Sequence, residues 1–240
     1  MDARGRLVAV EGGSGAGKTT LVRTASRTLD WDPLAEAFDR LDPAPSLDFA
    51  SPTELLRIEA TLLAEEARRY RWARRRVASG RTVLADTGFL GPVSYTAGLI
   101  ALGRVPAAIG RSVRESARSA IDRGSLGIPD LTVYLKTTAV ERSRRAAADR
   151  VHHPSSLGPR HEAVSRVEAR CFEGPLPATL PDRFRTLRAG SEARTLVPRL
   201  GALVDRADPS PASRKEALVA LALLAAPAET PRRGAAGTNR

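Results

Sequence analysis

Apolar positions along this chain alternate between short unbroken runs and longer runs of helical period. Residues 7–10 (Leu-Val-Ala-Val) are continuously apolar and end at a glycine cluster, the pattern of a parallel strand buried on both faces. In residues 17–29, Leu21, Val22, Ala25 and Leu29 share one face, which predicts a helix. Residues 31–50 carry Pro33, Pro43 and Pro45 and read as loop, with one short strand around 33–37. Ser51-Pro52-Thr53-Glu54 predicts a helix start: Ser51 caps, Pro52 suits the first helical position, and Glu54 completes a capping box. The stripe Leu55, Leu56, Leu62, Leu63, Ala67, Tyr70 runs on to Val77, and Ser79-Gly80 ends it. Further strands are expected at 81–85, 131–135 and 183–187. Helices are expected near 94–102, 106–121, 139–148 and 162–172, and from a Ser191 cap to 204.

Strand–helix alternation of this kind predicts a single three-layer α/β/α domain over residues 1–206, with a parallel sheet of about five strands and helices on both faces. The pattern changes at Ala207. Pro209, Pro211, Pro227 and Pro231 bracket an Ala/Leu-rich stretch at 213–226, and 232–240 has no apolar periodicity, so 207–240 reads as an appendage with a disordered end.

The glycine cluster after the first strand is Gly12-Gly13-Ser14-Gly15-Ala16-Gly17-Lys18-Thr19, with Thr20 next. It matches the phosphate-binding loop G-x-x-x-x-G-K-[ST] without a gap, and it has the required context of a strand before and a helix after. Glycines let backbone N–H groups turn inward around phosphates, and the helix that opens at Gly17 favours anions at its N-terminus. Lys18 then reaches the β- and γ-phosphates, and the Thr19 hydroxyl sits on Mg²⁺. The expected ligands are therefore ATP, with GTP not excluded by the loop, and Mg²⁺.

Composition alters this picture little. The 240 residues are 42% hydrophobic but only 4% aromatic, so Leu, Val, Ile and Ala must build the core. The formal charge of +11 invites a nucleic-acid reading, yet Lys18, Lys136 and Lys215 are the only lysines, and the arginines are spread along the chain with no aromatic ladder. That distribution argues against a nucleic-acid partner. Cys171 is the single cysteine, so no intramolecular disulfide forms. Residues 1–6 lead straight into a strand and no apolar stretch reaches about 18 residues, so neither leader nor membrane span is expected and the cytoplasm is the expected compartment.

A phosphoryl-transfer site also needs a carboxylate to orient or deprotonate the acceptor hydroxyl. Asp86 follows the strand at 81–85, at the end that faces the ligand crevice in an open parallel sheet, where it can hold Mg²⁺ or act on the acceptor. Glu36 follows a weaker strand-like segment and is the second candidate.

The stretch from Val8 to Thr20 resembles the opening of thymidylate kinases and deoxynucleoside kinases, which share one P-loop kinase fold. Residues 34–40 resemble the deoxynucleoside-kinase segment whose Glu-Pro pair places the catalytic base, with Ala37 in place of that proline. Leu84-Ala85-Asp86-Thr87, with Ser94 to Gly98 after it, resembles their Asp/Glu-Arg segment, with Thr87 in place of the arginine. Pro129 to Leu135 resembles the strand before their lid. The missing arginine argues against thymidylate itself as acceptor. The resemblance implies a lid over about 142–160 whose arginines close on the triphosphate. Arg142, Arg144, Arg145 and Arg150 are the available ones, with Arg145 and Arg150 the chosen candidates. It also implies that Phe38, Tyr70 and Tyr95 flank the acceptor, although Tyr70 fits the apolar stripe equally well. His152, His153 and His161 lack a metal-ligand spacing and read as lid polarity. Such kinases are often dimers, which extends a homodimer expectation to this chain.

The resulting expectation is an ATP- and Mg²⁺-dependent phosphotransferase acting on a nucleoside, nucleotide or related small molecule. Lys18 and Thr19 serve the phosphates and metal, Glu36 or Asp86 the acceptor, and Arg145 and Arg150 the transferring group. Competing readings are a kinase of an antibiotic or other metabolite, a regulatory P-loop ATPase without an acceptor, and a nucleic-acid end-kinase.

Overall fold

A computed structural model describes residues 5–43, 49–148, 159–189, 192–208 and 210–225. The strands are β1 (Leu7–Glu11), β2 (Asp32–Leu34), β3 (Val83–Asp86), β4 (Leu131–Lys136) and β5 (Phe184–Arg188). The helices are α1 (Lys18–Leu29), α2 (Pro52–Ala78), α3 (Gly91–Ala101), α4 (Ala107–Asp122), α5 (Ala139–Ala148), α6 (Pro159–Glu173), α7 (Pro175–Thr179), α8 (Ala193–Arg206) and α9 (Arg214–Ala225).

All strand pairs are parallel, in the order β2-β3-β1-β4-β5. The register sets Val10 beside Asp86 on one side of β1 and Glu11 beside Tyr134 on the other. Strand alternation splits the core in two. Val8, Val10, Leu84, Val133 and Leu187 pack with α1 and α8, while Leu7, Ala9, Leu34, Val83, Ala85 and Phe184 pack with α2, α4, α6, α7 and α9. The layered parallel architecture expected from the alternation is what forms.

Several details differ from the pattern-based expectation. β2 stops at Leu34, because Glu36 and the 3₁₀ turn Phe38–Arg40 leave the sheet before the expected end of that strand. α6 starts at Pro159, inside the stretch expected as lid loop, and α7 was not anticipated. Ser51 does cap α2, accepting from the Glu54 N–H at 3.2 Å, but the Glu54 carboxylate reaches back to the Ala50 N–H at 2.6 Å, one residue before the cap. Ser191 and the 232–240 tail lie outside the described residues. Among the described residues no helix is long and apolar enough to cross a membrane.

The helix beyond Ala207 packs against the sheet layer. Ala217, Ala220, Leu221 and Leu224 of α9 are buried in the same core as Leu7. Two buried polar groups clamp this region. Arg183 donates to Glu216 at 2.8 Å and to the Ser210 carbonyl at 2.8 Å. Asp130 accepts from the Leu7 N–H at 2.8 Å, from Arg74 at 2.7 Å and from the Ala212 N–H at 3.1 Å. One carboxylate thus joins β1, α2 and the segment leading into α9.

Arg183→Ala strips the buried carbonyls and Glu216 of their donor. It is expected to lower unfolding stability by about 2–4 kcal/mol, read from denaturant midpoints at unchanged slope.

Candidate active site

The loop between β1 and α1 is built on glycine torsions that other residues resist. Gly15 (φ 74°) and Gly17 (φ 94°) lie in the left-handed region, and Gly17 is the N-cap of α1. The turn closes with the Ala16 N–H donating to the Gly13 carbonyl at 3.0 Å. Lys18 Nζ folds back to the Gly12 carbonyl at 2.9 Å, so its ammonium lies over the loop. Ser14 and Thr19 are partly exposed on the loop and first turn, and Thr20 is exposed.

α5 lies across this loop. Arg145 Nη1 donates to the Ala16 carbonyl at 2.6 Å while its Nε pairs with Glu141 at 2.7 Å. A methyl group on Gly13 would meet Arg142 Cδ at 3.3 Å, and one on Gly15 would meet the Arg142 carbonyl at 3.0 Å. Arg142 and Arg145 therefore share the face of α5 that covers the loop. Arg144 points to solvent, and its ion pair with Glu141, joined by that of Arg145, holds the Glu141 carboxyl down at about 2. Arg150, His152 and His153 lie outside the described residues, as does the side chain of His161.

Asp86 and Glu36 are close enough to act on one another, and the Lys18 charge acts on Glu36. Asp86 is 2% exposed, and its Oδ1 has no hydrogen-bond partner. Glu36 is partly exposed just past the end of β2. Burial of its carboxyl raises the Glu36 pKa; the Lys18 charge opposes that shift and Asp86 adds to it.

Two further carboxylates belong to this group and were not singled out from the sequence. Glu11, at the end of β1, accepts from the Gly88 N–H at 2.6 Å. Burial pushes its carboxyl up to about 8, against the pull of that hydrogen bond, and Glu168 pushes the same way. Glu168 on α6 accepts from Ser94 Oγ at 2.8 Å and is likewise raised by burial. The strand-end argument that marked Asp86 applies equally to Glu11. Nothing in the local sequence marks Glu168, which reaches the site only through packing of α6 on α3.

The turn after β3 is held from below by an arginine that also carried no sequence signal. Arg69 of α2 is fully buried. It donates to the Asp86 carbonyl at 2.8 Å, pairs with Glu66 and lies 5.2 Å above the Phe89 ring. Thr87 sits in the left-handed region at φ 66°. Tyr70 packs edge-on against Phe89 at 5.3 Å, the core placement its helical stripe suggested.

Among the described residues no three His, Cys, Asp or Glu side chains gather tightly enough to hold a metal ion. The Asp86 Oδ1, without a partner among the described residues, and the Thr19 hydroxyl on the first turn of α1 instead suit a hydrated Mg²⁺ that takes most of its ligands from phosphates and water.

No protein-family model matches this sequence, and a search of curated proteins finds no relative. The fold does match solved structures. A deoxyadenosine kinase from M. mycoides with bound dATP aligns with TM-score 0.62 at 13% identity, covering 82% of this chain and 98% of that one. A structure of that enzyme with its products dCMP and dCDP aligns with TM-score 0.61 at 13% identity, over 83% of this chain and 98% of that one. A thymidylate kinase from Candida albicans aligns with TM-score 0.59 at 15% identity, covering 85% and 93% respectively. At such identities the likeness shows a shared P-loop kinase fold.

The inner face of α2 generates one prediction. Glu59 is 1% exposed with Oε2 unpartnered, and burial pushes its carboxyl from 4.5 up to about 8. A raised acid favours folding in its neutral form. That contribution is intact below pH 4.5 and is lost as pH rises through about 8. Glu59→Gln should therefore melt within about 1 °C of the parent at pH 5 and roughly 3 °C or more above it at pH 8.5. A difference that stays constant with pH sinks this assignment.

Proposed function

We propose that this protein transfers the γ-phosphoryl group of ATP, with Mg²⁺, to a hydroxyl of a small acceptor of the nucleoside, nucleotide or related metabolite class. The observation that carries the reading is the convergence, at one sheet edge, of the P-loop lysine, two arginines of α5 and the Glu36–Asp86 carboxylates. The shared fold with nucleoside and nucleotide kinases supports it.

In this reading the backbone N–H groups of residues 12–19 and Lys18 bind the triphosphate. Arg145 and Arg142, already over the loop, spread positive charge around the group in flight. Glu36 or Asp86 accepts the acceptor's hydroxyl proton. The freed oxygen bonds to the γ-phosphorus as the bond to the β,γ-bridging oxygen breaks, and ADP leaves. Mg²⁺, when held by Thr19 and Asp86 through water, would neutralise the phosphate charge. α5 excludes water from the phosphates. This limits hydrolysis in the absence of acceptor. Such an ATP-consuming enzyme belongs in the cytoplasm.

The direct test supplies purified protein with ATP, Mg²⁺ and a panel of hydroxylated small molecules, and follows ADP. Acceptor-dependent ADP is expected; ADP formed at one rate with or without any acceptor would overturn the reading in favour of an ATPase. Lys18→Ala should lower kcat by about 10²–10³-fold at unchanged melting temperature, because among the described residues its hydrogen bond is to its own loop.

Glu36→Gln separates the two candidate bases. If Glu36 takes the proton, kcat falls by about 10²-fold or more while the ATP KM holds. An unchanged kcat moves that role to Asp86, and Asp86→Asn should then show the loss.

A further inference from the structure

The acceptor side of the site is acidic in a way that the transfer reaction does not require. Glu11, Glu36, Asp86 and Glu168 come from four different elements and act on one another across the crevice. Glu66 adds its charge from α2. Mg²⁺ in a kinase site takes one or two carboxylates, so most of these are surplus to it. Their spacing also fails to gather three around a metal ion among the described residues. The leading cations acting on them are Lys18, which serves the phosphates, and Arg69, which is committed to Glu66 and the turn carbonyls.

Among the described residues, one oxygen of this group and one on the neighbouring face of α2 lack a hydrogen-bond partner. Asp86 Oδ1 and Glu59 Oε2 belong to residues at least 98% buried. Asp86 faces Glu36 within the group. Glu59 lies on the same face of α2 as Glu66, two helical turns earlier. A buried oxygen without a donor is costly, so Asp86 marks a place that a hydrated cation or an acceptor group would complete. The acidity is local, because the chain as a whole carries +11. Thr87 completes the contrast: the turn beside these acids offers no arginine to a phosphate.

We propose that the phosphoryl acceptor is a cationic hydroxylated molecule, an amine-bearing polyol such as an amino sugar, whose ammonium is bound by Glu11 and Glu168 while its hydroxyl meets Glu36 and Asp86. The proposal rests on the phosphotransferase reading above and narrows it. An ammonium adds donors and a compensating charge to Glu11 and Glu168, which among the described residues accept from the Gly88 N–H and the Ser94 hydroxyl. A nucleoside monophosphate would instead set a phosphate against four carboxylates, on which the leading cations among the described residues are Lys18 and Arg69.

The test compares matched acceptors on the full chain loaded with Mg²⁺ and a non-hydrolysable ATP analogue, with Kd from calorimetry. The panel sets glucosamine and kanamycin against N-acetylglucosamine and N-acetylated kanamycin. Thymidine and deoxyadenosine, with their monophosphates, cover the neutral and anionic nucleoside classes. The amines should bind about tenfold or more tighter than their acetylated partners. Glu11→Gln and Glu168→Gln, nearly isosteric changes, should bring that ratio toward one. Monophosphates or neutral members binding as well as the amines, no amine binding at all, or a ratio untouched by either variant would each overturn the assignment. Turnover with ATP separates the two levels of inference. Acceptor-dependent ADP from neutral or anionic members alone overturns the cationic acceptor and leaves the kinase reading, whereas acceptor-independent ADP overturns both.

Discussion

Parallel pairing of β1 with β3 on one side and β4 on the other is the constraint on which the rest of the molecule depends. It points the C-terminal ends of the central strands in one direction, so the phosphate loop after β1, the Asp86 turn after β3 and α5 after β4 all meet at one edge. The pairing is sustained from both faces by two cores of alternating strand residues. At the opposite edge Asp130 gathers donors from β1, α2 and the segment leading into α9.

The active edge carries its own internal bracing. Arg69 rises from the middle of α2 and holds the carbonyl of Asp86, so the strand-end turn keeps its shape although Thr87 has a left-handed backbone. Gly88 then turns its N–H onto Glu11, and a side chain there would meet the Glu11 oxygen at 2.7 Å. Glu11 is positioned through that backbone N–H and Glu168 through the Ser94 hydroxyl. Their raised pKa values follow from burial together in one place.

The two halves of the crevice differ in charge. On the phosphate side the Lys18 ammonium, the N-terminus of α1 and the arginines of α5 present positive potential to a polyanion. On the acceptor side the carboxylates dominate. A chain rich in arginine along most of its length thus concentrates acid where the acceptor is proposed to bind. On that proposal the local field, more than the net charge, sets what the site accepts.

Local signals in the sequence were enough for the elements that physics decides locally. The unbroken run at Leu7–Val10, the Gly-Lys-Thr loop and the Ser51 cap each depend on neighbouring residues alone, and so the layered fold and the phosphate loop were legible. Asp86 was legible because its position at a strand end follows from the same pattern. Glu11 obeyed the identical rule and was overlooked beside the louder glycine motif. Glu168, Glu66 and Arg69 could not be read, because each reaches the site from a helix whose orientation is decided by packing on the sheet. The place of α9 was equally hidden: its Ala/Leu composition shows that it must bury a face, while only the tertiary structure decides that the face goes onto the core. By itself the sequence determined the fold and the glycine-rich loop with its Lys18, since both follow from short-range pattern. Only the tertiary structure decided the charge gathered around Glu11, Glu36, Asp86 and Glu168, because that charge is a sum over side chains distant in the chain.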